Sequence, residues 1–326
     1  MKIILLLLSF GSLLFANMSN HDLGVQYLNK GEHQKALQSF MKQLDSDIQT
    51  NGSNSLKAST EYGWIGLTYS RMGDYQAGLE YDFKELAIKE KVLGKYHLSV
   101  ATVYGNIGLA YSNIGEPQKA LEYSEKALNI KKKILGKDHL DMALAYNNIA
   151  TIYSNNLGKM EVALEYQLKA LKIYELNLKK DNRQLWNSYS NIGVVYAKLS
   201  KFPEALEYTK KALSLSKKYL GDEHPITADN YNGVGYVYSL KPEYEKALEY
   251  YLKAFELRKK VLREDHPDLA TSLNNISFIY YNQGKYQDAV VSAEKALKIN
   301  EVSLGKDHPE TKEWASNIEY FKKLMK

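Results

Sequence analysis

Apolar positions in this chain recur three and four residues apart, in paired stretches that turn on a glycine or proline and then begin again. The stretch from Asp265 to Gly305 shows one full unit. Leu269, Leu273, Ile276, Phe278, Ile279 and Tyr280 form a first stripe, Gly284 marks a turn, and Ala289, Val290, Ala296, Leu297 and Ile299 form a second. That spacing predicts an amphipathic helix for each stripe. Lys306-Asp307-His308-Pro309 then restarts the pattern, and Gly136-Lys137-Asp138-His139 follows Gly94-Lys95-Tyr96-His97 at a distance of 42 residues. No segment shows the alternation of a strand.

Aligning the units gives columns with a physical meaning. A small residue recurs in each first helix, at Gly24, Gly66, Gly108, Ala150, Gly193, Gly235 and Ser277, with a tyrosine three residues later from Tyr27 to Tyr280. Second helices carry Ala36, Gly78, Ala120, Ala163, Ala205, Ala247 and Ala289, each followed by an aliphatic residue. Glycine inside a helix costs ~1 kcal/mol against alanine, so its recurrence predicts close helix packing. Seven helical hairpins result, over residues 17-50, 56-93, 98-135, 140-178, 183-220, 225-262 and 267-304, with a capping helix over 309-325. An extra residue around Asn155-Asn156-Leu157 lengthens the fourth hairpin, and Lys179-Lys180-Asp181-Asn182 replaces Gly-x-x-His there. The polar link from Thr50 to Ser55 has no such motif and is expected to be the loosest joint.

These columns resemble the tetratricopeptide repeat. The 42-residue period, with Leu220-Gly221-Asp222-Glu223-His224-Pro225 and Asn274-Asn275-Ile276, resembles the longer variant of kinesin light chains and many bacterial scaffold proteins. The resemblance covers essentially all of the chain after the leader. It implies an all-α fold, a right-handed α-solenoid of seven such hairpins and a C-terminal cap, one elongated domain in which each repeat contacts its neighbours. It also implies a concave groove lined by first helices. The heptad coiled coil of kinesin light chain is missing, so a motor-adaptor role is not carried over.

Composition narrows the chemistry. There is no cysteine among the 326 residues, which excludes disulfides, thiolate metal sites and cysteine nucleophiles. The net charge of +5 is mild, and part of it lies in the leader. Met1-Lys2, the apolar run from Ile3 to Leu14 and the small Ala16 read as a signal peptide over residues 1-16. The run is shorter than the ~20 residues that span a bilayer, so the mature chain is expected in the periplasm or secreted, with membrane attachment only if the leader stays uncleaved.

Candidate catalytic groups dissolve into repeat columns. His97, His139, His224, His266 and His308 share one loop position, and successive helix layers lie ~10 Å apart, too far to converge on a metal. They are expected to pack loops or cap helices. Glu80, Glu122, Glu165, Glu207 and Glu249 are likewise one column. Most of the 27 tyrosines fall into three packing columns. Lysines such as Lys131-Lys132-Lys133 sit late in second helices, where they complement the helix dipole. No enzyme, cofactor, metal or nucleic-acid partner is expected.

The best functional signal is an asparagine ladder on first helices. Asn106, Asn148, Asn191, Asn275 and Asn317 share a position, with Asn232 and Asn274 one residue earlier in their units. An amide both donates and accepts, so it can hold a peptide backbone whatever the side chains; in peptide-binding relatives this position lines the groove. The alternative is a ladder of amides bridging neighbouring units. Trp64 and Gly233 interrupt the ladder, which predicts an uneven groove with a pocket beside Tyr236. Phe278 also faces that groove by alignment, and Arg71 and Lys198 lie near the helix ends. The expected function is a non-catalytic exported scaffold holding a protein or peptide in the groove. Assembly through the solenoid edges, by self-association or docking on an envelope complex, is the alternative.

Overall fold

The computed structural model describes residues 18–303, 305–306 and 308–325, so the leader lies outside the described residues. They form fifteen α-helices, with no strand among the described residues. The chain divides between Lys159 and Met160 into two compact units. In the first, α1 (Asn20–Asn29) pairs with α2 (His33–Asn51), α3 (Leu56–Arg71) with α4 (Tyr75–Leu93) and α5 (Leu98–Ile114) with α6 (Pro117–Leu135). Helix α7 (Leu140–Thr151) then runs into a π-helical turn, Ile152–Asn156. The second unit starts with α8 (Met160–Asn177). It continues with the pairs α9 (Arg183–Lys198) and α10 (Phe202–Leu220), α11 (Pro225–Leu240) and α12 (Tyr244–Val261), and α13 (Pro267–Asn282) and α14 (Tyr286–Ser303). Helix α15 (Pro309–Lys323) closes it. Within each unit every helix packs on the next. Six of the expected hairpins therefore close inside the units, and the helices of the fourth are divided between them.

Each first helix begins on a side chain that accepts a backbone hydrogen bond. His97, His139, His224, His266 and His308 accept through Nδ1 from the N–H two residues on, at 3.1 to 3.3 Å. The histidine column is thus a set of N-caps, which satisfy donors that a helix start leaves open. Asn182 does the same for Gln184 at 2.8 Å, and Ser55 for Ala58 at 3.2 Å. The link at Thr50 to Ser55 is consequently built like the others: Gly52 has φ 85° and ψ 157°, close to the 82° and 155° of Gly94. Sequence showed a missing motif there, but serine supplies the cap and glycine the left-handed turn.

The small column makes the close approach it predicted. A Cβ at Gly108 would lie 3.1 Å from the carbonyl oxygen of Ala120, and one at Gly193 3.0 Å from that of Ala205. The three tyrosine columns meet as trios inside hairpins: Tyr62 and Tyr69 both contact Tyr81, at 6.1 and 5.6 Å between ring centres, and Tyr231 and Tyr238 contact Tyr250 at 6.1 and 5.6 Å. Glu122, Glu165 and Glu249 of the glutamate column pair with the lysine one turn on, Glu122 with Lys126 at 2.6 Å, and that lysine lies over the Tyr123 ring at 4.6 Å. The inserted residue of the fourth repeat is absorbed as the π turn. There Asn156 is turned towards α5, where its Nδ2 donates to the Ser112 carbonyl at 2.8 Å and its Oδ1 accepts from Ser112 Oγ at 2.7 Å.

Candidate functional site

The asparagine position lies on one side of each first helix, three residues from a second column of mostly apolar residues. In the first unit Asn106 and Asn148 are exposed, and neither makes a side-chain hydrogen bond among the described residues. Leu67 of α3, Leu109 of α5 and Leu144 of α7 are also exposed, with 38, 49 and 46% of their surface open. Amide donors and acceptors therefore sit among apolar side chains on a face that meets water. Trp64 fills the ladder position of α3 by stacking on Phe40 at 5.4 Å, with His21 edge-on at 5.7 Å. His21 in turn bonds Glu61 at 2.7 Å.

In the second unit the ladder takes two forms. Asn191 is exposed and makes no side-chain hydrogen bond among the described residues. Asn275 instead donates to Asn232 Oδ1 at 3.0 Å, so this pair bridges neighbouring repeats. Asn274 and Asn317 are half-buried. Gly233 is buried, and Ser190 Oγ occupies the space beside it, 3.3 Å from where a Cβ would stand. Tyr236 packs half-buried on the core of α11 and α12, and burial pushes its hydroxyl pKa up. Phe278 meets Phe321 of α15 edge-to-face at 5.8 Å, while Tyr281 stacks on the same ring at 4.9 Å. Its role in the fold is thus to seat the cap, with one edge left exposed.

The two basic residues stand apart from the amides. Arg71 is exposed at the end of α3, where it borders a wide depression of about 640 Å³ with Gly31, His33 and Lys35 of the first hairpin turn. Lys198 is exposed in the last turn of α9.

One residue of this face escaped the sequence reading. Asp82 of α4 is 4% exposed and lines a cavity of about 70 Å³ between α3 and α5, with Asn106 at its rim. Its carboxyl is pushed up to about 7, first by burial and then by the charge of Glu85. The signal was in the alignment: Phe40, Asp82, Ser124, Gln167, Thr209, Tyr251 and Ala293 share this column, and Asp82 alone ionises as an acid.

The tetratricopeptide repeat family profile matches residues 56–133, 114–176, 184–260 and 241–301. None of the curated proteins matches the sequence. Among solved structures, one from Podosopora anserina, with nearly identical kinesin-light-chain-type TPR-like repeats, is 21% identical with a TM-score of 0.54, covering 64% of this chain and 98% of that one. BtubC (BKLC) from P. vanneervenii is 21% identical with a TM-score of 0.55, over 73% of this chain and 92% of that one. The apo form of RapI is 17% identical with a TM-score of 0.64, over 86% of this chain and 96% of that one. At these identities the likeness is one of fold. With profile matches along most of its length, the chain belongs to the tetratricopeptide repeat family.

Proposed function

We propose that this chain is an exported, non-catalytic scaffold that holds an extended peptide or a protein surface on the exposed face of its first helices. Proteins of this family are in general non-catalytic and bind proteins or peptides. The observation that carries the proposal is the exposure of Asn106, Asn148 and Asn191 with their amides unpaired among the described residues. Within each unit a face of this kind is preformed and loses little freedom on binding, and its amides address backbone groups. The bridging pair Asn232 and Asn275 belongs to the scaffold instead.

The test is capture of a partner by the chain from Asn17 onward, followed by titration against Asn148→Ala/Asn191→Ala. Loss of two hydrogen bonds at ~0.5–1.5 kcal/mol each should weaken binding roughly tenfold with melting unchanged. Unaltered affinity would refute the amide-lined face. Export rests on Met1-Lys2, the apolar run and Ala16. Mature protein beginning at Asn17 outside the cytoplasm supports it, and intact Met1 in the cytoplasm refutes it.

A second reading has an observation of its own. Val92 and Ile134 in the first unit, and Tyr219 and Val261 in the second, occupy one position near the ends of second helices and are 49, 44, 39 and 44% exposed. Apolar side chains repeated along an edge favour self-association. Sedimentation that depends on concentration and is abolished by Val92→Ser/Ile134→Ser would select this reading.

A further inference from the structure

The cavity beneath Asn106 has a definite chemistry. Its base is the carboxyl of Asp82, which is 4% exposed and makes no hydrogen bond or ion pair among the described residues. Gly66 makes room for that carboxyl, since a Cβ there would come 2.5 Å from Asp82 Oδ1. The rim supplies further acceptors in Ser70, Asn106 and Asn113, and Leu67 and Leu109 form an apolar wall. At about 70 Å³ the cavity is small, with room for a compact head group such as an ammonium. The Asp82 carboxyl reaches solvent only through this cavity and is poorly hydrated there, so a cation that brings its own donors gains a charge-assisted hydrogen bond.

We propose that this cavity is a subsite for a primary ammonium group, and that it takes the side chain of a lysine in the bound partner, its methylenes against Leu67 and Leu109 and its head on Asp82. The proposal rests on the exposed face of the first helices being the binding face, and it adds the chemistry of one partner residue. Charge complementarity selects lysine: Asp82 is the only acid in its column, and helix α5, which forms one wall, carries no charged residue. A carboxylate would instead face the Asp82 carboxyl. The titratable groups acting here are Asp82 itself and Glu85, whose own partner is Lys89 at 2.5 Å. With its carboxyl held at about 7, Asp82 loses its proton as the ammonium enters.

The experiment uses the chain from Asn17 onward and needs no natural partner. Side-chain amide NMR signals of Asn106 and Asn113 are followed during titration with Nα-acetyl-lysine-N-methylamide at pH 8. Saturable shifts are expected, with no response to the Nε-acetylated probe, at least tenfold weaker binding by Asp82→Asn, and binding about tenfold weaker at pH 6. Asp82→Ser, which copies Ser124 of the next repeat, provides a second variant if Asp82→Asn loses structure. Absence of saturable shifts, or equal shifts in a folded Asp82 variant, overturns the proposal. Alanine-N-methylamide, which offers only an α-ammonium, overturns the lysine assignment if it binds as tightly. Because the probe is a small molecule, failure here leaves the Asn148 and Asn191 test untouched, and failure there leaves this one.

Discussion

Helices α4 and α12 occupy the same place in their repeats, one in each unit, yet they fill that place with opposite chemistry. Facing the small residue of its hairpin, α12 sets the ring of Tyr251, which is 3% exposed and lies 2.8 Å from where a Cβ on Gly235 would stand. One turn on it has Ala254, then Arg258, whose guanidinium donates to Ser272 Oγ and Asp229 Oδ1 at 2.7 Å and to the Asp268 carbonyl at 3.1 Å. At the matching positions α4 has Asp82, Glu85 and Lys89. Glu85 bonds Lys89 through one oxygen, while its Oε2 and the Oε2 of Glu61 on α3 are buried without a partner among the described residues. The same helix pairing thus accepts either a seam filled by Tyr251 and the Arg258 network, with the buried Arg258 Nε left unpartnered among the described residues, or one holding acids around a cavity. The seam of Tyr251 and Arg258 ties neighbouring helices together; the acidic seam is the part that packing alone does not account for.

The largest expected consequence is a pH dependence confined to the first unit. Burial raises the carboxyl pKa values of Asp82, Glu85 and Glu61, so the folded unit holds protons that the unfolded chain has released. Stability therefore falls as pH rises between the ordinary carboxylate range and about 7. For Asp82 the displacement from 3.8 to about 7 sets an upper bound of roughly 4 kcal/mol. Glu243 in the second unit goes the other way, down to about 2 through hydrogen bonds from Lys241 and Lys246, so that unit has no matching loss in this window. Amide hydrogen exchange, corrected for intrinsic rates, should show protection in α3 to α5 falling from pH 5 to pH 8 while α11 to α13 hold steady. Asp82→Ser should remove much of the fall. Equal behaviour of both units would show that the acids are solvated and the comparison empty.

The second prediction breaks the seam around Arg258. Arg258→Met keeps most of the apolar stem but removes the guanidinium that ties α12 to α11 and α13. Breaking a buried pair costs ~3–5 kcal/mol, and here Asp229 is 53% exposed and can be resolvated, so about 2–3 kcal/mol is expected. Loss of exchange protection in α11 to α13, with α3 to α5 unchanged, would confirm it. A loss below ~1 kcal/mol would make the arginine a surface ion pair in effect.

What repetition encodes was legible in the sequence, and what breaks repetition was not. Helix boundaries, close-approach glycines and tyrosine trios all follow from columns that recur. Ser55 and Asn182 were read as a missing motif because the residue changes while its task, accepting a backbone hydrogen bond at the helix start, stays the same. Asn156 shows the limit of counting: the extra residue could be located, but the π turn that lets it bond Ser112 depends on a neighbouring helix. For the candidate site, spacing put the asparagines in one column and left two roles open, and the structure divides them: Asn106, Asn148 and Asn191 are exposed, whereas Asn275 closes on Asn232 as an inter-repeat bridge. Amide position fixes the side of a helix, whereas the partner depends on distances between helices. Asp82 went unseen because its column was read for what repeats, and its importance lies in being the exception.

The smallest effect isolates Glu85 from the rest of the seam. Gly63 and Gly105 share a column in successive repeats, and both are helical glycines for which alanine is intrinsically better by ~1 kcal/mol. Around Gly105 nothing lies within 4 Å of a new Cβ, because Ala127 stands where α4 has Glu85. Around Gly63 the Cβ would come 2.6 Å from Glu85 Oε2. Gly105→Ala should therefore stabilise the first unit by roughly 0.5–1 kcal/mol. Gly63→Ala should lose that gain, since the carboxylate must turn away and weaken its bond to Lys89, and Gly63→Ala/Glu85→Gln should recover little of it because the amide is as large. Only shortening the side chain would open the space, and Lys89 would then need replacing with it to avoid an unpaired buried cation. Equal stabilisation from both alanines, read by exchange in α3 to α5, would mean that Glu85 does not hold its buried position in solution, and the contrast between the two seams would then rest on Asp82 alone.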